Sequence, residues 1–175
     1  FLRVPPHARA AAAAKPSYFA DLRLGFRYVR EHRYLVPFFL YFALLMFLVS
    51  PAAFLAPLQV TRTYGADVWR LTAIEVAFSA GMLAGGAVLA AWGGFANRIH
   101  TMALATFAMA ALTVVLGLAP AFWLYLAAMA AFGLALPFFN TPSTVMLQDH
   151  VEGDYLGRVF SILTMISTSI MPLGM

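Results

Sequence analysis

Apolar residues gather in five long runs, at about 35–61, 69–92, 101–118, 122–147 and 156–175, separated by short hydrophilic joints. A helix rises about 1.5 Å per residue, so about 20 apolar residues cross the hydrocarbon of a bilayer. The runs predict five spans joined as antiparallel neighbours, the fourth leaving the membrane before its last residues and the fifth cut short. Pro51 and Pro57 interrupt the first run, and Pro137 and Pro142 the fourth. Each proline removes an intrahelical donor and frees a carbonyl, so breaks are expected there, either beside a transport cavity or as plain kinks.

Upstream of the runs, residues 1–16 are rich in proline and alanine and read as a linker that can be partly helical. "SYFADLRLGFRYVREHRYL" follows, with Phe19, Leu22, Phe26 and Val29 at helical spacing and Arg23, Arg27 and Arg30 on another face. This predicts an amphipathic helix, either lying on the membrane surface or standing as a solvated basic helix.

Composition agrees with the pattern: 63% of the residues are hydrophobic and 10% charged, where soluble domains carry about 45–50% and about 25%. The net charge of +4 would suit a nucleic-acid partner, but seven of the eleven basic residues precede the first run. That placement marks a cytoplasmic start and argues against nucleic acid. The joint "TRTYGADVW" is then outside, "GGFANRIH" inside, "LAPAF" outside and "QDHVEGDYLGR" inside, which leaves only Arg62 and Arg70 outside. Trp69 and Trp123 mark the outer interface and Trp92 the inner one. The N-terminal residues lack the basic, apolar, small-residue order of a cleavable signal. The chain opens at Phe1 and stops at "MPLGM" inside an apolar run, so it reads as a piece of a longer polypeptide.

Glu75, in the apolar run "LTAIEVAFSAGMLAGGAVLAAW", is the first candidate for chemistry. A charge at bilayer depth costs about 2.5–3.5 kcal/mol on insertion scales, so it faces a cavity, pairs with a base or stays protonated. Thr72, Ser79, Met82 and Gly86 share its helical face, while Ala77, Gly81 and Gly85 form a small-residue stripe suited to close helix packing. Glu75 is therefore the candidate for proton coupling or cation binding, with pairing to Arg62 or Arg70 as the structural alternative. Gln59, Ser79, Asn140, Thr141, Ser161, Thr164 and Thr168 are the other candidates to line a cavity. His7, His32, His100 and His150 fall in cytoplasmic segments without metal spacing and are expected to be solvated. The absence of cysteine excludes disulfides, thiolate metal sites and a cysteine nucleophile. No hydrolase, zincin or phosphate-loop motif occurs, so an enzyme, a metal site and a cofactor are not expected.

Three stretches together resemble the major facilitator superfamily, in the C-terminal half of a drug-exporter member of the macrolide-efflux branch: "DLRLGFRYVREHRYL", the Glu75 run with "GMLAGG", and "NTPSTVMLQDHVEGDYLGRVFS". The resemblance implies an all-α membrane protein, a helical bundle holding spans seven to eleven of a twelve-span transporter. Residues 1–34 would be a cytoplasmic linker and amphipathic helix, and residues 35–175 the half-bundle. The implied function is proton-coupled export of an amphipathic small molecule across a bacterial-type cytoplasmic membrane by alternating access. The implied partners are the lipid bilayer, the substrate and the N-terminal half of the same parent chain. A siderophore or lysophospholipid carrier of the same fold, or a non-transporting membrane scaffold, is the alternative. The family's loop motif, Gly followed after three residues by Asp-Arg-x-Gly-Arg, survives here as Gly93 and Arg98, with Asn97 in place of the Asp, His100 of the Gly and Thr101 of the Arg. Arg158, opening the last span, is the base expected to make a cytoplasmic gate contact, with Asp149, Glu152 or Asp154 as partner.

Overall fold

A computed structural model describes residues 18–174, with side chains placed from residue 22. They form six helices: α1 (Tyr18–Glu31), α2 (Leu35–Thr63), α3 (Val68–Trp92), α4 (Arg98–Leu118), α5 (Phe122–His150) and α6 (Gly153–Leu173). Helices α2 to α6 are each long and apolar enough to cross a membrane. The five runs are thus spans of the expected order, with α4 and α6 starting three residues earlier than the apolar pattern placed them. Polar residues extend both ends: Asn97 caps α4 by accepting the Ile99 N–H at 3.0 Å, and the acidic "EGD" opens α6, where negative charge suits the exposed N–H groups.

The prolines do not end their helices. Pro51 and Pro57 lie inside α2, Pro137 and Pro142 inside α5, and Pro172 inside α6. In the low dielectric of a membrane an unwound segment exposes more unpaired backbone than the few bonds that proline deletes, so continuity is favoured over a full break.

Helix α5 is the hub. Tyr125, Ala128, Phe132, Ala135, Phe139 and Leu147 are buried along it, and it packs closely on both α3 and α4. The α3–α5 contact is the tightest. A Cβ at Gly81 would collide with the Ala130 carbonyl, one at Gly85 with the Leu134 carbonyl, and one at Gly133 with the Phe78 carbonyl. The two helices therefore run parallel, backbone against backbone, as the Ala77, Gly81 and Gly85 stripe led us to expect. Gly86, one step off the stripe, has open space around it.

Helix α2 packs on α6, where the fully buried Ser50 hydroxyl donates to the Met171 carbonyl at 2.5 Å, and it reaches α5 through Phe42 stacked on Phe139. Helix α1 packs on α6. Its buried residues are Gly25, Tyr28 and Val29, while Phe26 is 47% exposed. One side of the amphipathic segment, at Gly25, Tyr28 and Val29, is thus covered by the bundle, while Leu24 and Phe26 stay open beside the arginines. Phe19 and the linker before it lie outside the side chains described. Much apolar surface remains uncovered, including Leu83, Phe107 and Leu118 at 75%, 75% and 76% exposure, as a bundle surrounded by lipid requires.

Candidate functional site

Glu75 stands on the face of α3 turned away from α5. Ile74 beside it is buried, whereas Glu75, Thr72, Ser79 and Met82 are exposed, and Gly86 is half-covered. Val68 starts α3, so the carboxylate lies about 10 Å along the axis. Neither Arg62 nor Arg70 pairs with Glu75: Arg70 pairs with Asp67 at 3.2 Å, and the other ion pairs, Arg27–Glu31 and Arg98–Asp149, leave Glu75 unpartnered among the described residues. The arginine is held near the joint by its neighbours as well, with its guanidinium over the rings of Trp69 and Phe122 at 5.5 and 5.6 Å.

A second polar face belongs to α6. Gly157, Ser161, Thr164 and Thr168 recur at helical spacing, and all are exposed. The hydroxyls donate to carbonyls one turn earlier, Ser161 to Gly157 at 2.8 Å, Thr164 to Phe160 at 3.0 Å and Thr168 to Thr164 at 2.9 Å. With its proton so used, each oxygen turns only lone pairs outward. Thr72 does the same toward Val68 at 3.2 Å. Asn140 and Thr141 are exposed on α5. These residues are not brought into one contacting cluster; they are separate polar faces left open by the bundle.

Gln59 has a different occupation from the cavity lining expected of it. Its amide donates to the Leu116 carbonyl at 2.8 Å, and the Tyr64 hydroxyl donates to the Ala119 carbonyl at 2.6 Å, so the two side chains tie the C-terminal ends of α2 and α4 together. Burial raises the Tyr64 phenol above its ordinary range and keeps it a donor. Between the same helices an apolar groove of about 280 Å³ is lined by Leu44, Leu45, Leu48 and Met109, with Tyr41 and Thr106 hydrogen-bonded at 2.5 Å.

At the opposite end, Gly93 and Gly94 take φ values of +79° and +77°, the left-handed conformation that lets α3 stop and the chain reverse. Asn97 then caps α4. Thr101, buried, accepts the Phe95 N–H at 3.1 Å and so fixes the loop from below. Arg98 pairs with Asp149, joining the start of α4 to the end of α5. Arg158 reaches the Asp154 carbonyl of its own helix at 3.5 Å and lies over the Tyr155 ring at 5.3 Å.

One histidine, His32, is not solvated as expected, whereas His150 is exposed. His32 is half-buried, with Nδ1 2.8 Å from the Tyr28 carbonyl, and its ring lies 4.1 Å from that of Tyr28. His150 sits against Tyr34 at 5.6 Å between ring centres. Tyr28 stacks on Tyr155 at 4.4 Å and its hydroxyl accepts the Glu152 N–H at 3.2 Å, while the Tyr34 hydroxyl donates to the His150 carbonyl. Burial first, then Tyr28 and Glu152, raises the Tyr34 phenol and keeps it protonated. This aromatic cluster fastens α1 and the start of α2 to the α5–α6 joint. The only signal for it in the sequence was the crowding of Tyr and His in two distant joints; pairing them required the fold. His100 is exposed, and His7 lies outside the described residues.

A bundle of long apolar helices with internal glycine packing and open polar faces is that of a polytopic membrane protein. Over residues 1–175 the chain matches the model of the Major Facilitator Superfamily, and it belongs to that family. It is 28% identical over 176 aligned positions to Macrolide efflux protein A of Enterococcus faecalis, covering 99% of this chain and 54% of the relative. Macrolide efflux protein A of Streptococcus pyogenes is also 28% identical, with 99% of this chain and 44% of the relative covered. The chain therefore spans about half the length of the curated relatives it matches. No solved structure matches it. It is an integral, multi-pass protein of the bacterial cytoplasmic-membrane type.

Proposed function

We propose that the chain is the C-terminal half-bundle of a secondary transporter that exports an amphipathic small molecule, with Glu75 as a proton-coupling carboxylate. The observation that carries this reading is the exposed, unpartnered Glu75 on a polar face of a membrane-depth helix. Lipid is a poor environment for such a face, and insertion scales put the cost of a carboxylate at the centre of a span at about 2.5–3.5 kcal/mol. An aqueous cavity shared with an opposing half-bundle removes most of that cost. The names of the relatives support efflux, and their greater length leaves room for the opposing half.

The chemistry follows from the residues. Thr72, Ser161, Thr164 and Thr168 offer acceptors, and Glu75 supplies an acid, so the open faces suit a molecule that brings its own donors or positive charge. Met82 and the surrounding apolar side chains receive its greasy part. Protonation of Glu75 removes the one charge at membrane depth on α3 and biases the balance between inward-open and outward-open states as the halves rock. The test uses the full-length protein in sealed vesicles, recording internal pH as a macrolide is added. The reading expects macrolide-evoked proton flux that vanishes in a folded Glu75→Gln variant. Flux of native size in that variant removes Glu75 from the coupling step, and no macrolide-evoked flux in the native protein defeats proton-coupled macrolide export.

A further inference from the structure

Helix α1 carries a surface that the transport reading leaves unused. Gly25, Tyr28 and Val29, with half-buried His32 just past the helix, are committed to α6 and the α5–α6 joint. The Gly25 position lies against Ile162 Cδ1 and Arg158 Cβ, at 2.9 and 3.3 Å from where a Cβ would stand. Since residues advance by about 100° around a helix, Arg23, Arg27 and Arg30 fall on the side opposite Gly25. All three are exposed, as is Arg33 in the turn that follows. Arg27 is neutralised by Glu31 at 2.7 Å, which leaves Arg23, Arg30 and Arg33 outside the ion pairs of the described residues. Leu24 and Phe26, 40% and 47% exposed, flank the arginines on either side. Helix α1 ends at Glu31, and buried Leu35 begins the first span. The basic face therefore stands at the level where the chain enters the membrane.

We propose that this face is a docking site for the headgroups of anionic phospholipids in the cytoplasmic leaflet. A guanidinium forms two parallel hydrogen bonds to phosphate oxygens, a geometry that survives at an interface where a simple point charge is hydrated away. An anionic leaflet attracts juxtamembrane arginines directly beside it, and every span of this chain brings that leaflet with it. Gly25, Tyr28 and Val29 are held against the bundle, so α1 keeps its place at the membrane boundary; the arginines and the two exposed apolar side chains that flank them match a headgroup and the boundary just beneath it. The other side of the same helix holds the Glu152 N–H through Tyr28 and stacks on Tyr155. A bound headgroup thus bears on the α5–α6 joint through a single rigid turn.

The test needs no transport assay. The full-length protein, free of other cysteines, receives Leu24→Cys labelled with an environment-sensitive dye and is placed in nanodiscs of phosphatidylcholine or of phosphatidylcholine mixed with phosphatidylglycerol. The proposal expects a blue shift of the dye in the mixed discs. The shift is reversed by salt, because such attraction is screened beyond a Debye length; it is lost in R23Q/R30Q/R33Q, retained in the corresponding lysine variant to a smaller extent, and not reproduced by inorganic phosphate added to phosphatidylcholine discs. Equal emission in the two lipids, or a phosphatidylglycerol shift that persists in the glutamine variant, overturns it. Emission already blue in phosphatidylcholine alone, and unchanged by phosphatidylglycerol, would show that the face is covered without anionic headgroups and equally overturn it.

Discussion

Asn97 shows how a single residue can be read correctly for what it lacks and incompletely for what it does. As a replacement for the acid of the family's loop motif, it signals a lost charge. In the structure its side-chain oxygen accepts the Ile99 N–H, the bond that an N-cap makes, at a helix end where several donors have no other partner. Asparagine and aspartate serve this purpose about equally, so the substitution keeps the helix start. Asn97→Ala should lower the stability of the full-length protein in mild detergent by about 1 kcal/mol, while Asn97→Asp should stay within a few tenths of native. Equal losses for both variants in denaturant unfolding would show that the cap contributes nothing. Glu75 was legible from its sequence context because a carboxylate in an apolar run has few physical options. The partners of Asp149 and Gln59 were not, since each is chosen by an element more than fifty residues away.

At the level of helices, periodicity and length carried most of the information. Apolar runs of span length can be little else in a chain this apolar, so the five spans could be read directly. The prolines left two readings open, a break or a plain kink within a continuous helix, and the helices run through them, because the cost of unwinding in lipid outweighs the missing donor. The glycine stripe was readable as a packing surface but not as a packing partner. Its partner is α5, and the prediction that follows is sharp. Gly81→Ala and Gly133→Ala force a methyl into a facing carbonyl, and overpacking of that kind costs about 1–3 kcal/mol. Gly86→Ala meets nothing within 4 Å and should be neutral or slightly stabilising. Thermal unfolding of the three variants separates the outcomes: comparable midpoints for Gly81→Ala and Gly86→Ala would mean that α3 and α5 do not approach as described.

The whole molecule is defined as much by what it leaves open as by what it buries. Helix α5 gathers α3 and α4, α6 gathers α1 and α2, and hydroxyl and carboxyl groups on α3, α5 and α6 stay uncovered. Sequence alone indicated a membrane bundle and a family, but not which faces remain open, because that depends on how each helix is rotated in the packing. The account's central claim is that the open polar faces meet water and not lipid. Cysteine scanning tests it most directly: single cysteines at Thr72, Ser79, Thr164 and Thr168, with Leu83 and Phe107 as exposed apolar references, in the full-length protein without other cysteines, treated in membranes with a charged, water-soluble thiol reagent. The account predicts rapid labelling at the four polar positions and little at Leu83 and Phe107, with labelling at the polar positions slowed by bound macrolide. Equal resistance at all six positions would contradict it, placing the polar faces against lipid or dry protein and removing the cavity on which the transport reading rests.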